Sequence, residues 1–280
     1  MQDLRSAALQ WQAAARPAVV VAVGATQGSV PRERGTRMLV AADEVLGTIG
    51  GGHLELQAIA DARALLASGG AALAQRIALG PSLGQCCGGA LTLHFTPLAQ
   101  DSPAGWEAER ARFFLQLYGA GHVGRAIVKL LADLPCRVMW VDERESEFPP
   151  GPLPPHIEKV CVEPVQAEVA AAPPGAFFLV LTHSHALDLA LAEAILARGD
   201  AAWFGLIGSK TKRARFEHRL LARGFAPEAV ANMVCPIGLP GLAGKQPEVL
   251  AVSVVAQLLL AAPPGDRGLR SRNGAAVRPD

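Results

Sequence analysis

Residues 113–124 read Phe113-Phe-Leu-Gln-Leu-Tyr-Gly119-Ala-Gly121-His-Val-Gly124, an apolar run that breaks into glycines and then into an amphipathic stretch. This order predicts a strand, a tight turn and a helix. The glycines have the spacing of the dinucleotide-binding fingerprint, in which they allow a tight turn, close approach of the backbone to a pyrophosphate and close helix packing. Because the free N–H groups of a helix N-terminus attract anions, we expect an anion to bind here, next to His122.

The chain after this turn repeats the alternation of apolar runs and helical segments. Further apolar runs cover residues 137–141, 157–162, 177–181, 203–207 and 233–235. Together with residues 113–118, they predict six strands with intervening helices in a doubly wound parallel sheet of the Rossmann type. Asp142 follows the second run, close to the offset at which a ribose-binding acid is expected.

Polar residues follow the later strands, at the sheet edge where ligands of such folds bind. They are Thr182-His183-Ser184-His185, which leads towards Asp188, and Gly208-Ser209-Lys210, which opens a helix. Lys210, Lys212 and Arg213 make the first turn of that helix cationic, which opposes the helix dipole and indicates a bound anion. A solvated helix face remains the alternative for these cations. His183 and His185 are candidate metal ligands, but a pair without a third ligand nearby is more typical of a polar loop.

The first hundred residues predict a separate α/β domain. A helix over residues 1–16 and a strand at 19–23 precede a long loop with three arginines and a second strand at 38–41. Gly50, Gly51 and Gly52 then come directly before a helix that begins near His53. Successive glycines let the backbone approach a partner closely, so this turn is a second candidate anion site. His53 by itself is more typical of a cap or a core residue.

The segment Gln85-Cys86-Cys87-Gly88-Gly89 lies between predicted strands at 75–79 and 90–95. Adjacent cysteines with no second pair do not fit a structural zinc site. Two interpretations stay open. Cys86 and Cys87 are small buried hydrophobes, or the glycine N–H groups stabilise a thiolate that ligates a soft metal or carries sulfur.

Composition limits the classes of partner and compartment. The net charge of +1 gives no global field for nucleic acid, and no apolar stretch is long enough to span a membrane. The odd count of 5 cysteines and the lack of a leader-like N-terminus favour a reducing, cytoplasmic location. We expect an N-terminal domain over residues 1–98, a linker over 99–111, the Rossmann-like domain over 112–262 and a disordered tail over 263–280.

Seven segments, in order along both halves of the chain, resemble the XdhC/CoxI family of molybdenum-cofactor accessory proteins, which serve xanthine dehydrogenase and related hydroxylases. They are Gly28-Ser-Val-Pro-Arg32, Gly47-Thr-Ile-Gly-Gly-Gly-His-Leu-Glu55, Gln85-Cys-Cys-Gly-Gly89, Tyr118-Gly-Ala-Gly-His-Val-Gly124, Thr182-His-Ser-His-Ala-Leu-Asp188, Leu206-Ile-Gly-Ser-Lys210 and Cys235-Pro-Ile-Gly-Leu239. The resemblance implies an N-terminal domain with the cysteine segment, a C-terminal Rossmann domain, and binding of molybdenum cofactor before its insertion into apo xanthine dehydrogenase.

That cofactor is a phosphorylated pterin with a dithiolene-held metal, and the candidate residues suit its parts. The glycine-rich turns would hold the phosphate, Asp142 or Asp188 would accept from the pterin edge, and Cys86 with Cys87 would shield or ligate molybdenum. The full set of candidate cofactor-binding residues is Gly50, Gly51, Gly52, His53, Cys86, Cys87, Gly88, Gly89, Gly119, Gly121, His122, Gly124, Asp142, His183, His185, Gly208, Ser209 and Lys210.

The first hypothesis is therefore a non-catalytic chaperone that protects molybdenum cofactor, supports its sulfuration together with a cysteine desulfurase, and delivers it as a homodimer. The second is an NAD(P)-dependent oxidoreductase, because the same glycines followed by Asp142 would serve a nicotinamide dinucleotide. That hypothesis leaves the cysteines without a role. A third is a thiol-redox or metal-sensing module that uses the adjacent cysteines.

Overall fold

A computed structural model describes residues 4–79, 89–106, 111–242 and 244–262. The chain divides into two compact units, Gln2–Ala108 and Glu109–Asp280. Each unit is built on its own five-stranded sheet. Within the described ranges, every helix is too short or too polar to cross a membrane.

The smaller unit contains an antiparallel sheet with the strand order β3-β2-β1-β5-β4. Its strands are β1 (Ala18–Gln27), β2 (Arg37–Ala41), β3 (Val45–Gly47), β4 (Leu73–Ala78) and β5 (Ala90–Pro97), and its helices are α1 (Leu4–Ala13) and α2 (Gly52–Ser68). Alternate side chains of β1 point to opposite faces. Val19 and Val21 therefore pack with α2, and Val20 packs with α1, so that one strand joins two apolar clusters.

Residues 98–106, most of which fall in the stretch predicted as a linker, pack on the α1 side of this unit. They form short 3₁₀ turns at Leu98–Gln100 and Pro103–Gly105. The side-chain amide of Gln12 donates to the carbonyl oxygens of Leu98 and Asp101, at 3.0 Å each. Trp106 is buried in the same apolar cluster as the residues of α1.

The larger unit contains five parallel strands in the order β10-β9-β6-β7-β8. They are β6 (Phe114–Tyr118), β7 (Arg137–Asp142), β8 (Ile157–Cys161), β9 (Phe177–Val180) and β10 (Trp203–Leu206). This arrangement confirms the predicted α/β class with a Rossmann-like parallel sheet. The direction of winding reverses between β6 and β9, and in sheets of this kind ligands bind in the crevice at that reversal.

Helices cover both faces of the parallel sheet. They are α3 (His122–Leu131), α4 (His185–Arg198), α5 (Lys210–Ala222), α6 (Pro227–Ala231) and α7 (Pro247–Ala261). Residues of α3 and α7 share one apolar cluster with Leu115 and Leu117 of β6. Residues of α4, α5 and α6 share the other with Tyr118. The sheet is thus the middle of three layers, as in other doubly wound folds.

Two predicted details of the larger unit are wrong, the number of strands and the structure of two connections. The expected sixth strand at 233–235 is a single parallel bridge between Gly205 and Val234. Pro236, which has no N–H group to extend a ladder, follows it directly. In addition, the connections on either side of β8 contain 3₁₀ turns, at Glu145–Glu147 and Val165–Ala171, instead of crossover α-helices. Five prolines between 149 and 155 explain the first case, because proline disrupts a helix interior.

Candidate functional site

The turn after β6 shows a separate steric reason for each glycine of the fingerprint. Gly119 has a φ of +119°, and a Cβ there would lie 2.4 Å from the carbonyl oxygen of Leu181. A Cβ on Gly124 would lie 2.1 Å from the carbonyl oxygen of Gly119, so only glycine lets α3 pack against the turn. Gly121 faces open space, with no atom within 4 Å of an added Cβ. The middle glycine is therefore the position at which a ligand can approach the backbone.

The N-terminus of α3 opens onto this turn without a cap from the protein. Its N-cap residue is Gly121, no side chain accepts from the first N–H groups, and the first turn carries no acid. His122 is exposed at the first position of the helix. Uncapped N–H groups at the positive end of a helix dipole are suited to a phosphate.

Trp140, in the middle of β7, holds the glycine turn in place by a hydrogen bond. Its indole Nε1 donates to the carbonyl oxygen of Gly119 at 3.0 Å, and the ring is fully buried. Phe148 packs edge-on against the indole, with the ring centroids 5.1 Å apart. The backbone that would contact a phosphate is therefore held by a rigid aromatic side chain.

Asp142, the expected ribose or pterin acceptor, is already surrounded by donors of its own chain. One oxygen accepts from the backbone N–H of Arg144 at 2.9 Å and from its Nε at 3.0 Å. The other accepts from the N–H of Ala120 at 2.6 Å and from Arg144 Nη2 at 3.0 Å. These four hydrogen bonds fill the usual acceptor capacity of a carboxylate. A ligand that uses Asp142 must replace Arg144.

Burial raises the pKa of Asp142, but the hydrogen bonds from Arg144 and Ala120 lower it by more, and the pKa lies below the ordinary value. The hydrogen bond and charge of Asp142 correspondingly raise the pKa of Arg144. The pair is ionised at neutral pH. It joins the end of β7 to the glycine turn after β6.

The loop after β9 forms the facing wall of the crevice. Ser184 caps α4, because its hydroxyl oxygen accepts from the N–H of Leu187. His183 Nε2 lies 3.5 Å from Glu143 Oε1, across the reversal of the sheet. His185 is exposed at the first position of α4. Among the described residues, no group of three or more His, Cys, Asp and Glu side chains is placed to hold a metal ion, so the predicted histidine pair gains no third ligand there.

A buried ion pair that sequence reasoning missed connects the loops after β9 and β10. Lys212 Nζ donates to Asp188 Oδ2 at 2.5 Å and to the carbonyl oxygen of Ile207 at 2.8 Å. The other oxygen of Asp188 accepts from the N–H and the hydroxyl of Thr182. The side chains of Lys212 and Asp188 are 9% and 0% exposed. Asp188 is fully buried and so cannot contact a ligand, and the charge of Lys212 is balanced by Asp188.

The cationic first turn of α5 is consequently compensated largely from within. Arg213 Nε pairs with Glu217, and its Nη atoms donate to the carbonyl oxygens of Met233, Cys235 and Ala231. Lys210 is exposed, and Ser209 caps the helix by accepting from the N–H of Lys212. The expectation that a bound anion must balance three cations does not hold for Lys212 and Arg213. The unfavourable placement of cations at a helix N-terminus does not by itself reveal that Lys212 and Arg213 have partners within the protein.

Two spaces lie at this edge of the sheet, and Thr182 and His183 line both of them. A cleft of about 310 Å³ lies over the ends of β9 and β10 and is lined by Thr182, His183, His185, Ile207, Gly208, Ser209 and Lys212. The cavity beside β7 measures about 10 Å³ and is lined by Tyr118, Gly119, Val141, Asp142, Glu143, Val165, Thr182, His183 and Leu187. The structure thus brings the predicted residues His183, His185, Gly208 and Ser209 together around one cleft.

The predicted anion site in the smaller unit holds a carboxylate of the protein itself. Glu55 Oε2 accepts from the N–H groups of Ile49 at 2.9 Å and Gly51 at 3.0 Å, and from the hydroxyl of Thr48 at 2.5 Å. Burial raises the pKa of Glu55, and these hydrogen bonds lower it by more, so that the pKa is below the ordinary value. The glycine turn that the sequence predicts as an anion site therefore binds the carboxylate of Glu55.

Three of the family-like segments of this unit meet at one place. A Cβ on Gly50 would lie 2.5 Å from Pro31 Cβ, and one on Gly89 would lie 2.2 Å from the carbonyl oxygen of Ser29. His53 is exposed at the start of α2, directly after Gly52. The candidate residues Cys86, Cys87 and Gly88 lie outside the described residues.

Comparison with known proteins agrees with this architecture. Residues 115–258 match the XdhC Rossmann domain, and residues 11–77 match the XdhC and CoxI family. An uncharacterised protein of Escherichia coli strain K12, YqeB, is 31% identical over 247 residues, which is 84% of this chain and 41% of that protein. The chain therefore spans less than half the length of that curated relative.

A solved structure has the same fold across nearly the whole chain. It is a crystal structure described as a xanthine dehydrogenase from Bacillus halodurans, with a TM-score of 0.70 and 18% identity. The similarity covers 92% of this chain and 95% of that one.

Proposed function

Because the chain belongs to the XdhC and CoxI family, we propose that it binds molybdenum cofactor, protects it, supports its sulfuration and delivers it to apo xanthine dehydrogenase. In this proposal the cofactor is cargo and the protein is an accessory factor rather than an enzyme. Its partners are the recipient enzyme and a cysteine desulfurase, and it acts in the cytoplasm as a homodimer.

One observation in the structure carries the proposal: the uncapped glycine turn at α3 lies at the same sheet edge as an open cleft of about 310 Å³. The terminal phosphate of the cofactor suits free backbone N–H groups at a helix start. The pterin suits a cleft whose lining combines hydroxyl, imidazole and backbone groups. Cys86 and Cys87 are the proposed soft donors for molybdenum or for sulfur.

A second candidate is an NAD(P)-dependent oxidoreductase. The steric environments of Gly119, Gly121 and Gly124 favour it, because they are those expected of a dinucleotide-binding turn. Against NAD stands Asp142, whose oxygens are taken by Arg144 and Ala120. Turnover of a nicotinamide by the purified protein would favour this candidate over the accessory role.

The decisive test is the content of the protein purified from a host that makes molybdenum cofactor. We expect molybdenum and pterin in equal amounts, and neither in protein from a cofactor-deficient host. Loaded protein should activate cofactor-free xanthine dehydrogenase when a cysteine desulfurase and cysteine are present. Protein that carries no pterin from the producing host and activates nothing would contradict the proposal.

The cysteines are tested by the double variant Cys86→Ser/Cys87→Ser, with Cys161→Ser as the matched control, because Cys161 is an exposed thiol elsewhere. Serine keeps nearly the same volume and removes the soft donor. We expect the double variant to lose molybdenum or sulfur delivery while its melting temperature stays close to that of the parent. Full activation by the double variant would remove these cysteines from the mechanism.

A further inference from the structure

The open cleft at this sheet edge lies over the ends of β9 and β10. Over β9 and β10 the cleft measures about 310 Å³, whereas the cavity beside Asp142 measures about 10 Å³, the room of one water molecule. A dinucleotide needs room on both sides of the glycine turn, since its two halves extend in opposite directions from the pyrophosphate. The cleft over β9 and β10 has room for a ligand that extends to that side of the turn.

Arg144 is the residue that occupies the ribose position. In a dinucleotide site the acid at the end of the second strand accepts from the ribose hydroxyls. Here the guanidinium of Arg144 takes both oxygens of that acid, at 3.0 Å each, and a third contact with Glu147 Oε1 at 3.6 Å holds it in place. Bidentate arginine–carboxylate pairs are among the stronger polar contacts in proteins, so a neutral ribose competes poorly for Asp142.

We propose that Arg144 closes the crevice to the ribose of a dinucleotide, and that the site takes a single-phosphate ligand whose ring system lies in the cleft over β9 and β10. The placement of a pterin in that cleft rests on the proposed function. The role of Arg144 as a specificity residue does not, because it follows from the contacts of Asp142 alone. The phosphate lies on the turn at Gly121, and His185 at the rim of the cleft contacts the ring.

The role of Arg144 is tested by asking whether its removal increases the affinity for NADH. NADH is titrated calorimetrically into the parent protein, Arg144→Ala, and the control Arg137→Ala, which removes an arginine from the opposite end of the same strand. We expect Arg144→Ala to bind NADH about tenfold or more tightly than the parent, since Asp142 regains two acceptor positions. The control should match the parent. Arg144→Lys, which keeps the charge but cannot form the bidentate pair, should also gain affinity.

Equal NADH affinity in the parent and both Arg144 variants would overturn the assignment of Arg144. NADPH serves as the second nucleotide probe, because an arginine at this place accommodates a 2′-phosphate in some dinucleotide sites. Tight binding of NADPH by the parent would overturn the single-phosphate conclusion, since a dinucleotide would then fit after all.

The cleft is tested with neopterin monophosphate, a stable pterin with one terminal phosphate. We expect it to bind the parent, to bind His185→Ala about tenfold more weakly, and to bind the exposed-histidine control His218→Ala as it binds the parent. Binding by Arg144→Ala should stay within about twofold of the parent. Unchanged binding by His185→Ala would overturn the placement of the ring. Absence of any pterin binding, with NADH gained by Arg144→Ala, would refute the proposed function and leave the role of Arg144 standing.

Discussion

At the scale of single residues, the glycine turn separates a position that matters for packing from one that matters for a ligand. A Cβ on Gly124 would lie against the carbonyl oxygen of Gly119, while a Cβ on Gly121 would have no atom within 4 Å, and Gly121 has a φ of −67°, which any residue adopts. The same chemical change at these two positions should therefore have opposite effects on stability and on binding.

We expect Gly124→Ala to lower the free energy of unfolding by about 1–3 kcal/mol, the usual cost of overpacking. Gly121→Ala should cost no more than about 1 kcal/mol, the difference between a good and a poor N-cap residue. Gly121→Val should fold like Gly121→Ala and lose phosphate-dependent ligand binding. Urea denaturation and calorimetric titration measure the two effects, and ligand affinity unchanged in folded Gly121→Val would place the ligand elsewhere.

The buried pair of Lys212 and Asp188 gives a second prediction at this scale. Removal of the ammonium by Lys212→Met leaves a buried carboxylate without its counter-ion, which we expect to cost about 3–5 kcal/mol of unfolding free energy. The double variant Lys212→Met/Asp188→Asn should recover most of that loss, because a neutral amide oxygen still accepts from Thr182. A double variant no more stable than Lys212→Met would show that the charge of Asp188 is not the cause.

These residues also show what the sequence can and cannot predict. The packing roles of Gly119 and Gly124 follow from local geometry, and the sequence was sufficient to predict them. Lys212 and Asp188 lie 24 positions apart and meet only because β9 and β10 are neighbours in the sheet. The engagement of Asp142 by Arg144 likewise depends on side-chain direction after a strand end, which spacing in a sequence does not determine.

At the scale of elements, the apolar runs predicted the strands of the parallel sheet but overestimated their number. The run at 233–235 has strand-like residues, yet only Val234 bridges to Gly205, because Pro236 ends the ladder. In the smaller unit, the three glycines before α2 predicted an anion site, and the structure places Glu55 of the first helical turn in it. The sequence pattern predicts a turn that binds an anion, and only the fold shows that the carboxylate of Glu55 occupies it.

The hydrogen bonds that the turn before α2 donates to Glu55 lead to a prediction about acid stability. Since the pKa of Glu55 in the folded protein lies below its ordinary value of 4.5, its contribution is present above that pH and is lost as the pH falls through the folded-state pKa. Glu55→Gln should therefore lower the unfolding free energy by about 1–3 kcal/mol at pH 7, the scale of hydrogen bonds to a charged group. The difference from the parent should shrink in strong acid.

The matched control is Glu33→Gln, an exposed glutamate in the loop of the same unit. Its melting temperature should follow that of the parent at every pH. A Glu55→Gln variant that differs from the parent equally at neutral and at acid pH would indicate that shape, rather than charge, holds the turn.

At the scale of the whole molecule, each compact unit has its own apolar core. Two clusters belong to the smaller unit and two others to the larger one, and no described residue appears in clusters of both. A unit with its own core can fold without its neighbour. We expect a fragment of residues 109–262 to show cooperative thermal unfolding and to bind the same phosphate ligand as the whole chain. A fragment that stays unfolded by circular dichroism would show that its core needs the smaller unit.

The positions of the tryptophans determine what their fluorescence reports about this protein in solution. The chain has 4 of them and 1 tyrosine, and each unit contains two buried indoles, Trp11 and Trp106 in one and Trp140 and Trp203 in the other. Trp140 alone is bonded to the glycine turn. In a variant that keeps Trp140 as its one tryptophan, emission therefore reports on events at the crevice, and a variant that keeps only Trp11 and Trp106 reports on the integrity of the smaller unit.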